Sequence, residues 1–162
     1  MTYRLTRRQL ASGSLGEVFA FFEDPMNLEV ITPPWLAFRV LGTSDSVVRR
    51  GTRISYRLRL HGIPLRWESV IAEYVPGESF ADEMLKGPYR RWYHRHRFRQ
   101  AADGVEIEDV VDYELPFGPL GRLAHAVLVK RELKRIFDYR EREIARLFPY
   151  RPGAPGPEVM PR

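Results

Sequence analysis

Apolar positions along the chain recur at two different periods, and the switches between them mark out the elements. Tyr3 to Leu10 is short and extended in character. Ala11-Ser12-Gly13-Ser14 then offers hydroxyls suited to a helix N-cap. From Leu15 to Glu23 the residues Leu15, Val18, Phe19 and Phe22 follow a helical spacing, which Asp24-Pro25 ends. A further short turn is expected over Met26 to Ile31, because Thr32-Pro33-Pro34 blocks any continuation. After Trp35 the period becomes two. It predicts strands over Leu36 to Leu41, Thr52 to Leu60, Leu65 to Tyr74, Ser79 to Lys86, Tyr89 to Gln100 and Val105 to Leu115. Turn sequences such as His61-Gly62-Ile63-Pro64, Pro76-Gly77 and Asp103-Gly104 join them, short enough for antiparallel neighbours in a meander. The last periodic segment, Gly121 to Phe148, carries Leu123, Val127, Leu133, Ile136, Phe137, Ile144 and Leu147 on one stripe and predicts a long amphipathic helix.

These elements give an α+β chain in which a curved seven-stranded antiparallel sheet wraps around the C-terminal helix, with two short helices after the first strand. Residues 1–148 form one expected domain. The stretch from Pro149 to Arg162, with five prolines and little to bury, is expected to be a disordered tail.

Alternation also sorts side chains by face. In the strand around residue 95, Trp92, His94, His96 and Phe98 share one side, and Arg91, Tyr93, Arg95, Arg97 and Arg99 share the other. The arginine side must be solvent, so the two histidines lie between aromatics on the concave side, roughly 7 Å apart along the strand. The same logic turns Ile107, Asp109, Val111 and Tyr113 inward, as well as Tyr56, Trp67, Phe80, Asp82 and Met84. An aromatic concave wall with a few inward polar groups is how a small-molecule pocket is built. The same aromatics could instead fill the core, with His94, His96, Asp82 and Asp109 bonding one another. Arg140 falls on the apolar helix stripe; it either reaches Asp82, Asp109 or an acidic ligand, or snorkels to solvent.

Composition narrows the chemistry. The chain has 162 residues, 44% of them hydrophobic, and no Cys, which removes disulfides and thiolate chemistry. A histidine pair at i and i+2 can bind zinc with a nearby carboxylate, but no third His is placed and no usual ligand spacing occurs, so no metal is assigned. No phosphate loop, nucleophile elbow or dinucleotide fingerprint appears, so no cofactor is expected. The net charge of +5 identifies no partner, and Lys130, Arg131, Lys134 and Arg135 are interspersed with acids on the last helix, which makes nucleic acid an unfavoured partner. Without an apolar run long enough for a membrane span or a signal core, the expected location is cytoplasmic. Edge strands leave a homodimer possible.

Three blocks resemble a known family: Val18-Phe19-Ala20-Phe21-Phe22-Glu23-Asp24, Asn27-Leu28 with Ile31-Thr32-Pro33-Pro34-Trp35-Leu36, and Gly87-Pro88-Tyr89 through Phe98. They are similar to those of the SRPBCC or START-like superfamily, whose helix-grip fold is shared by birch-pollen allergens, polyketide cyclases and lipid-transfer domains. The closest likeness is to bacterial ligand-binding members. Asp109 to Pro116 and Ile136 to Arg140 look like the same group's later motifs. The resemblance implies the helix-grip fold and a cavity between sheet and helix for a hydrophobic molecule such as a lipid, quinone or aromatic polyketide-like compound. The ligand would meet Tyr56, Trp67, Phe80, Asp82, Met84, Trp92, His94, His96, Phe98, Asp109, Tyr113, Phe137 and Arg140. Non-catalytic binding leads. The alternatives are a cyclase or dehydratase using His94 or His96 with Asp109, and a macromolecular interaction module.

Overall fold

The computed structural model describes residues 1–116, 118, 119, 123 and 125–149. Seven strands form one antiparallel sheet in the order β1-β7-β6-β5-β4-β3-β2. The strands are β1 (Tyr3–Ala11), β2 (Arg39–Thr43), β3 (Arg53–Leu60), β4 (Ile63–Val75), β5 (Ser79–Lys86), β6 (Arg91–Ala101) and β7 (Gly104–Glu114). Strands β2 to β7 follow one another as a meander, and β1 closes onto β7. The helices are α1 (Leu15–Glu23), α2 (Leu28–Ile31) and α3 (Lys130–Leu147). This is the helix-grip arrangement. The expected tail beyond Pro149 lies outside the described residues.

Local chemistry accounts for most boundaries. The Ser14 hydroxyl accepts from the Glu17 amide, and the Glu17 carboxylate accepts from the Ser14 amide at 2.8 Å. This capping box satisfies two otherwise orphaned donors. Beyond α1, the Asp24 carboxylate accepts from the Met26 amide, and Pro25 begins a 3-10 turn that runs into α2. The expected strand over Leu36 to Leu41 is corrected to Arg39–Thr43. Pro34 sits in the first turn of a 3-10 helix over Pro34–Leu36, which Ala37 ends at φ 43, so the chain cannot extend until residue 39.

Register is fixed on both faces. On the outer face Arg97 stands opposite Glu108 and Arg99 opposite Glu106, both ion-paired, while Arg4 pairs with Asp112 and Arg8 with Glu108 from β1. Each such exposed pair contributes about 0–1 kcal/mol, so the ladder sets register more than stability. At the head of β7, Gly104 is required. Its φ is 145, and a Cβ there would lie 2.3 Å from the Ala11 carbonyl oxygen of the neighbouring strand.

The expected C-terminal helix is present, but its first part differs. Residues His125–Val129 form a π turn before α3 begins at Lys130. A wider turn shifts the phase of the preceding residues relative to α3. Leu123 and Val127, expected on the buried stripe, are accordingly exposed. Leu133, Phe137, Arg140 and Ile144 do face the sheet and are buried. The Ser12 amide donates to the Phe148 carbonyl and anchors the helix end to the β1–α1 loop. Among the described residues, no helix is long and apolar enough to cross a membrane.

Two apolar clusters pack between the helices and the sheet. One holds Phe19, Phe22, Phe80, Phe98, Ile107 and Ile144; the other holds Val111, Tyr113, Leu133 and Phe137. Between them, each element contributes polar residues at the same level: His96 and His94 on β6, Asp109 on β7 and Arg140 on α3.

Candidate functional site

The polar belt borders a cavity of about 220 Å³ between the sheet and α3. At the ~10–15 Å³ that one water requires, this is far beyond a packing defect. The concave aromatics therefore enclose space as well as forming core. Tyr56 stacks on Trp67 with ring centres 5.8 Å apart, Trp67 meets Trp92 edge-on at 5.3 Å, and Phe38 covers Tyr56 at 4.8 Å. Tyr56, Trp67 and Trp92 come from inward-facing positions of β3, β4 and β6, so the period of two that turns them inward also aligns them, and Phe38 joins them from just before β2.

Thirteen residues are expected from the sequence to contact a ligand. Nine line the cavity: Tyr56, Trp67, Phe80, Asp82, Trp92, His94, His96, Phe137 and Arg140. Asp109 sits behind the histidines, fully enclosed. Phe98 packs into the α1 cluster against Phe19 and Phe22, and Tyr113 packs against Tyr3, Tyr89 and Trp92. Met84 is half-buried, with its sulfur over Gly87 near Trp67.

The histidines are closer than strand spacing suggested. Their ring centres are 3.9 Å apart, because both imidazoles tilt toward one carboxylate. His94 Nε2 lies 3.0 Å from Asp109 Oδ1 in a hydrogen bond, and His96 Nδ1 lies 2.6 Å from the same oxygen, a contact without hydrogen-bond alignment. Each ring turns its other nitrogen to Asp82, with His94 Nδ1 at 3.7 Å and His96 Nε2 at 3.6 Å from Asp82 Oδ2. Asp82 reaches this position because β5 pairs it directly opposite His94. Arg140 does turn inward. Its Nε lies 3.7 Å from Asp109 Oδ2, and the guanidinium covers the Phe22 ring.

Charge follows from this packing. Burial alone would raise the Asp109 carboxyl, but the Arg140 guanidinium and the two imidazoles hold it well below the usual carboxylate range. Burial, helped by the neighbouring His96, lowers His94 and favours its neutral form. Burial opposes the charge of His96 as well, yet the adjoining Asp109 carboxylate prevails and raises it. Two donors stay unmatched: Arg140 Nε and Nη2 are buried with no hydrogen-bond partner among the described residues.

Two contributors were not singled out from sequence. Ser69 is a hub, since the Trp67 indole donates to its hydroxyl at 3.0 Å and that hydroxyl lies 3.4 Å from both the Tyr56 hydroxyl and Asp82 Oδ1. Glu132 is buried at the other end of the cavity, accepts from the Trp35 indole at 3.2 Å and from Arg135 at 3.1 Å, and lies 4.0 Å from His61. The signal for Glu132 was available: Glu132, Ile136, Arg140 and Ile144 stand four residues apart on one helix line.

A sequence model described as polyketide cyclase / dehydrase and lipid transport matches residues 12–136. The chain belongs to this SRPBCC family. Solved structures agree on the fold. CV1439 from Chromobacterium violaceum is 18% identical, with coverage of 91% of this chain and 97% of that one and a TM-score of 0.67. A START superfamily protein from Mycobacterium smegmatis is 13% identical over 90% and 98%, TM-score 0.62. Ara h 8.0201 is 13% identical over 90% and 99%, TM-score 0.60. At these identities the likeness concerns architecture. No curated protein matches the chain. For this SRPBCC protein, the family and fold suggest hydrophobic ligand binding or polyketide cyclase-like chemistry.

Proposed function

We propose that this SRPBCC protein binds or carries a hydrophobic small molecule bearing a polar acceptor, of the lipid, quinone or aromatic polyketide-like class. The observation that carries the reading is the cavity wall. Aromatic and aliphatic side chains surround a polar belt in which Arg140, only 9% exposed, has Nε and Nη2 without a hydrogen-bond partner among the described residues. A buried unsatisfied donor costs about 1–3 kcal/mol, more when charged, so an acceptor supplied by a ligand gains both affinity and orientation there. The apolar remainder of the molecule would lie against Tyr56, Trp67, Trp92 and Phe137.

Native mass spectrometry of protein purified without detergent, then challenged with a lipid and quinone extract, tests the reading. A one-to-one bound species, released by denaturation, is expected. Free protein only, before and after the challenge, would refute it.

One observation favours a catalytic second reading. His94 donates through Nε2 to the buried Asp109 carboxylate, and its other nitrogen is turned to Asp82, with both His94 and Asp82 lining the cavity, so a neutral imidazole oriented by a carboxylate stands at the wall of the ligand space. That arrangement suits proton abstraction next to a carbonyl, as an aldol-type cyclisation or dehydration requires. Turnover of an aromatic polyketide-like substrate that disappears in His94→Gln, while binding persists, would be its signature.

A further inference from the structure

Across β5 and β6, three side chains from two strands converge on one small volume of the cavity wall. His94 Nδ1 and His96 Nε2 lie 3.7 and 3.6 Å from Asp82 Oδ2, and the donor atoms of the three residues all fall within 4.8 Å of one another. We propose that Asp82, His94 and His96 form a binding site for a divalent first-row transition cation of the zinc type. The inference goes beyond the hydrophobic-ligand reading and does not depend on it.

Geometry supports it first. A zinc-like cation ~2.1 Å from its donors keeps them about 3.4 Å apart in a tetrahedron. The two imidazole nitrogens, at 3.7 and 3.6 Å from Asp82 Oδ2, already stand within a few tenths of an ångström of that spacing from the carboxylate, and the three donors close up around the ion from within 4.8 Å of one another. The donor set of two imidazoles and one carboxylate is the chemistry such ions take, and hard ions such as Mg²⁺ would decline it. The third ligand escaped the sequence because it is not spaced from the histidines along the chain. It is brought opposite His94 by strand pairing.

The outer shell is a second, independent observation. Metal-ligating imidazoles hold their orientation by giving the other ring nitrogen to a carboxylate. Here His94 Nε2 makes that hydrogen bond to Asp109 Oδ1 at 3.0 Å, and His96 Nδ1 lies 2.6 Å from the same oxygen without hydrogen-bond alignment. Asp109 is enclosed and has Arg140 for its own counter-charge, whereas Asp82 has no Lys or Arg ion-pair partner among the described residues. A carboxylate whose charged neighbours are two imidazoles, which can be neutral, lacks a fixed cation. All three ligands border the cavity and Asp109 does not, so the remaining coordination positions face the space where a small molecule would lie.

The test uses full-length protein stripped with a chelator and titrated with Co²⁺, then with Zn²⁺ in competition, with no hydrophobic compound present. One Co²⁺ per chain with the visible absorption of a tetrahedral site, displaced by Zn²⁺, is expected. Asp109→Asn should weaken binding ~10- to 100-fold as an outer-shell partner, and Asp82→Asn by more than that. His61→Gln, a histidine on the β3–β4 turn, should leave it unchanged. No saturable binding, or full affinity in Asp82→Asn, overturns the proposal. If a variant fails to fold, imidazole NMR of the wild-type chain decides. Zn²⁺ should move His94 and His96 resonances and not those of His61, and the reverse pattern overturns the site. Failure here leaves the hydrophobic-ligand reading standing, since that reading is judged by bound organic species.

Discussion

Replacing Arg140 with Met should expose how strongly the polar belt is coupled across the helix–sheet interface. The side chain is deeply buried, and its Nε stands 3.7 Å from Asp109 Oδ2. At that separation and an effective dielectric near ~20, the Coulomb attraction is about 4–5 kcal/mol. Losing one partner of a buried pair costs about 3–5 kcal/mol because the other charge is stranded. Asp109 retains the two imidazoles, so the lower part of that range applies, and a loss of about 3 kcal/mol would lower the Tm by roughly 6–12 °C for a domain of this size. Asp109→Asn strands Arg140 in turn. In the double variant neither charge is stranded, so its destabilisation should fall short of the sum of the singles by at least about 1.5 kcal/mol. Urea denaturation followed by circular dichroism, in chelator and without ligand, measures all four corners of the cycle. Additivity within about 0.5 kcal/mol would refute the pairing, and with it the claim that Arg140 is drawn inward by Asp109.

Two further outcomes follow from the frame that holds the cavity. Tyr74 donates to the Glu23 carboxylate, and this bond, with burial, raises its phenol to about 12. The folded state thus holds this proton more tightly than the unfolded chain, so the stabilisation is complete below pH ~10 and is lost as pH rises from ~10 through 12. Alkaline titration of tyrosinate absorbance should show Glu23→Gln moving this ionisation down toward the ordinary range, and an unchanged titration would contradict the assignment. Gly104→Ala should destabilise the domain by more than about 1 kcal/mol, since φ 145 and a Cβ 2.3 Å from the Ala11 carbonyl are both intolerable. A urea midpoint equal to wild type would show that β1 and β7 can part without cost.

The faces of the strands were legible because four outward arginines on β6 allow only one orientation of the sheet. That single constraint located His94, His96 and Trp92 inside, and its neighbours did the same for Asp82 and Asp109. The placement of the residues relative to one another was not legible in the same way. Alternation says that Asp82 and His94 are both inward, but their direct opposition comes from the β5–β6 register, which alternation does not contain. The approach of the two imidazoles to 3.9 Å likewise reflects a shared attraction to Asp109, which strand spacing does not contain. At the helix, a uniform period of 3.6 carried the stripe too far toward the N-terminal side. The π turn over His125–Val129 breaks that period, and it has no simple residue signature. Glu132 is one of the acids interspersed among the basic residues of the last helix, a spacing that by itself predicts a solvated ion-pair partner. It does bind Arg135, and it is buried as well, because Trp35 on the Pro34–Leu36 turn reaches over to it.

The most direct test of the central claim is a fluorescence titration with two environment-sensitive apolar dyes of similar size, one carrying an acidic group and one neutral. The account predicts a single saturable site per chain for the acidic dye, quenching of the Trp67 and Trp92 emission, and at least ~10-fold weaker binding in Arg140→Met that remains cooperatively folded. The neutral dye should be affected much less, and Leu133→Trp, which fills the cavity, should exclude both. Equal affinity of Arg140→Met and wild type for the acidic dye, or no saturable binding of either dye, would contradict a hydrophobic ligand anchored through an acceptor at Arg140.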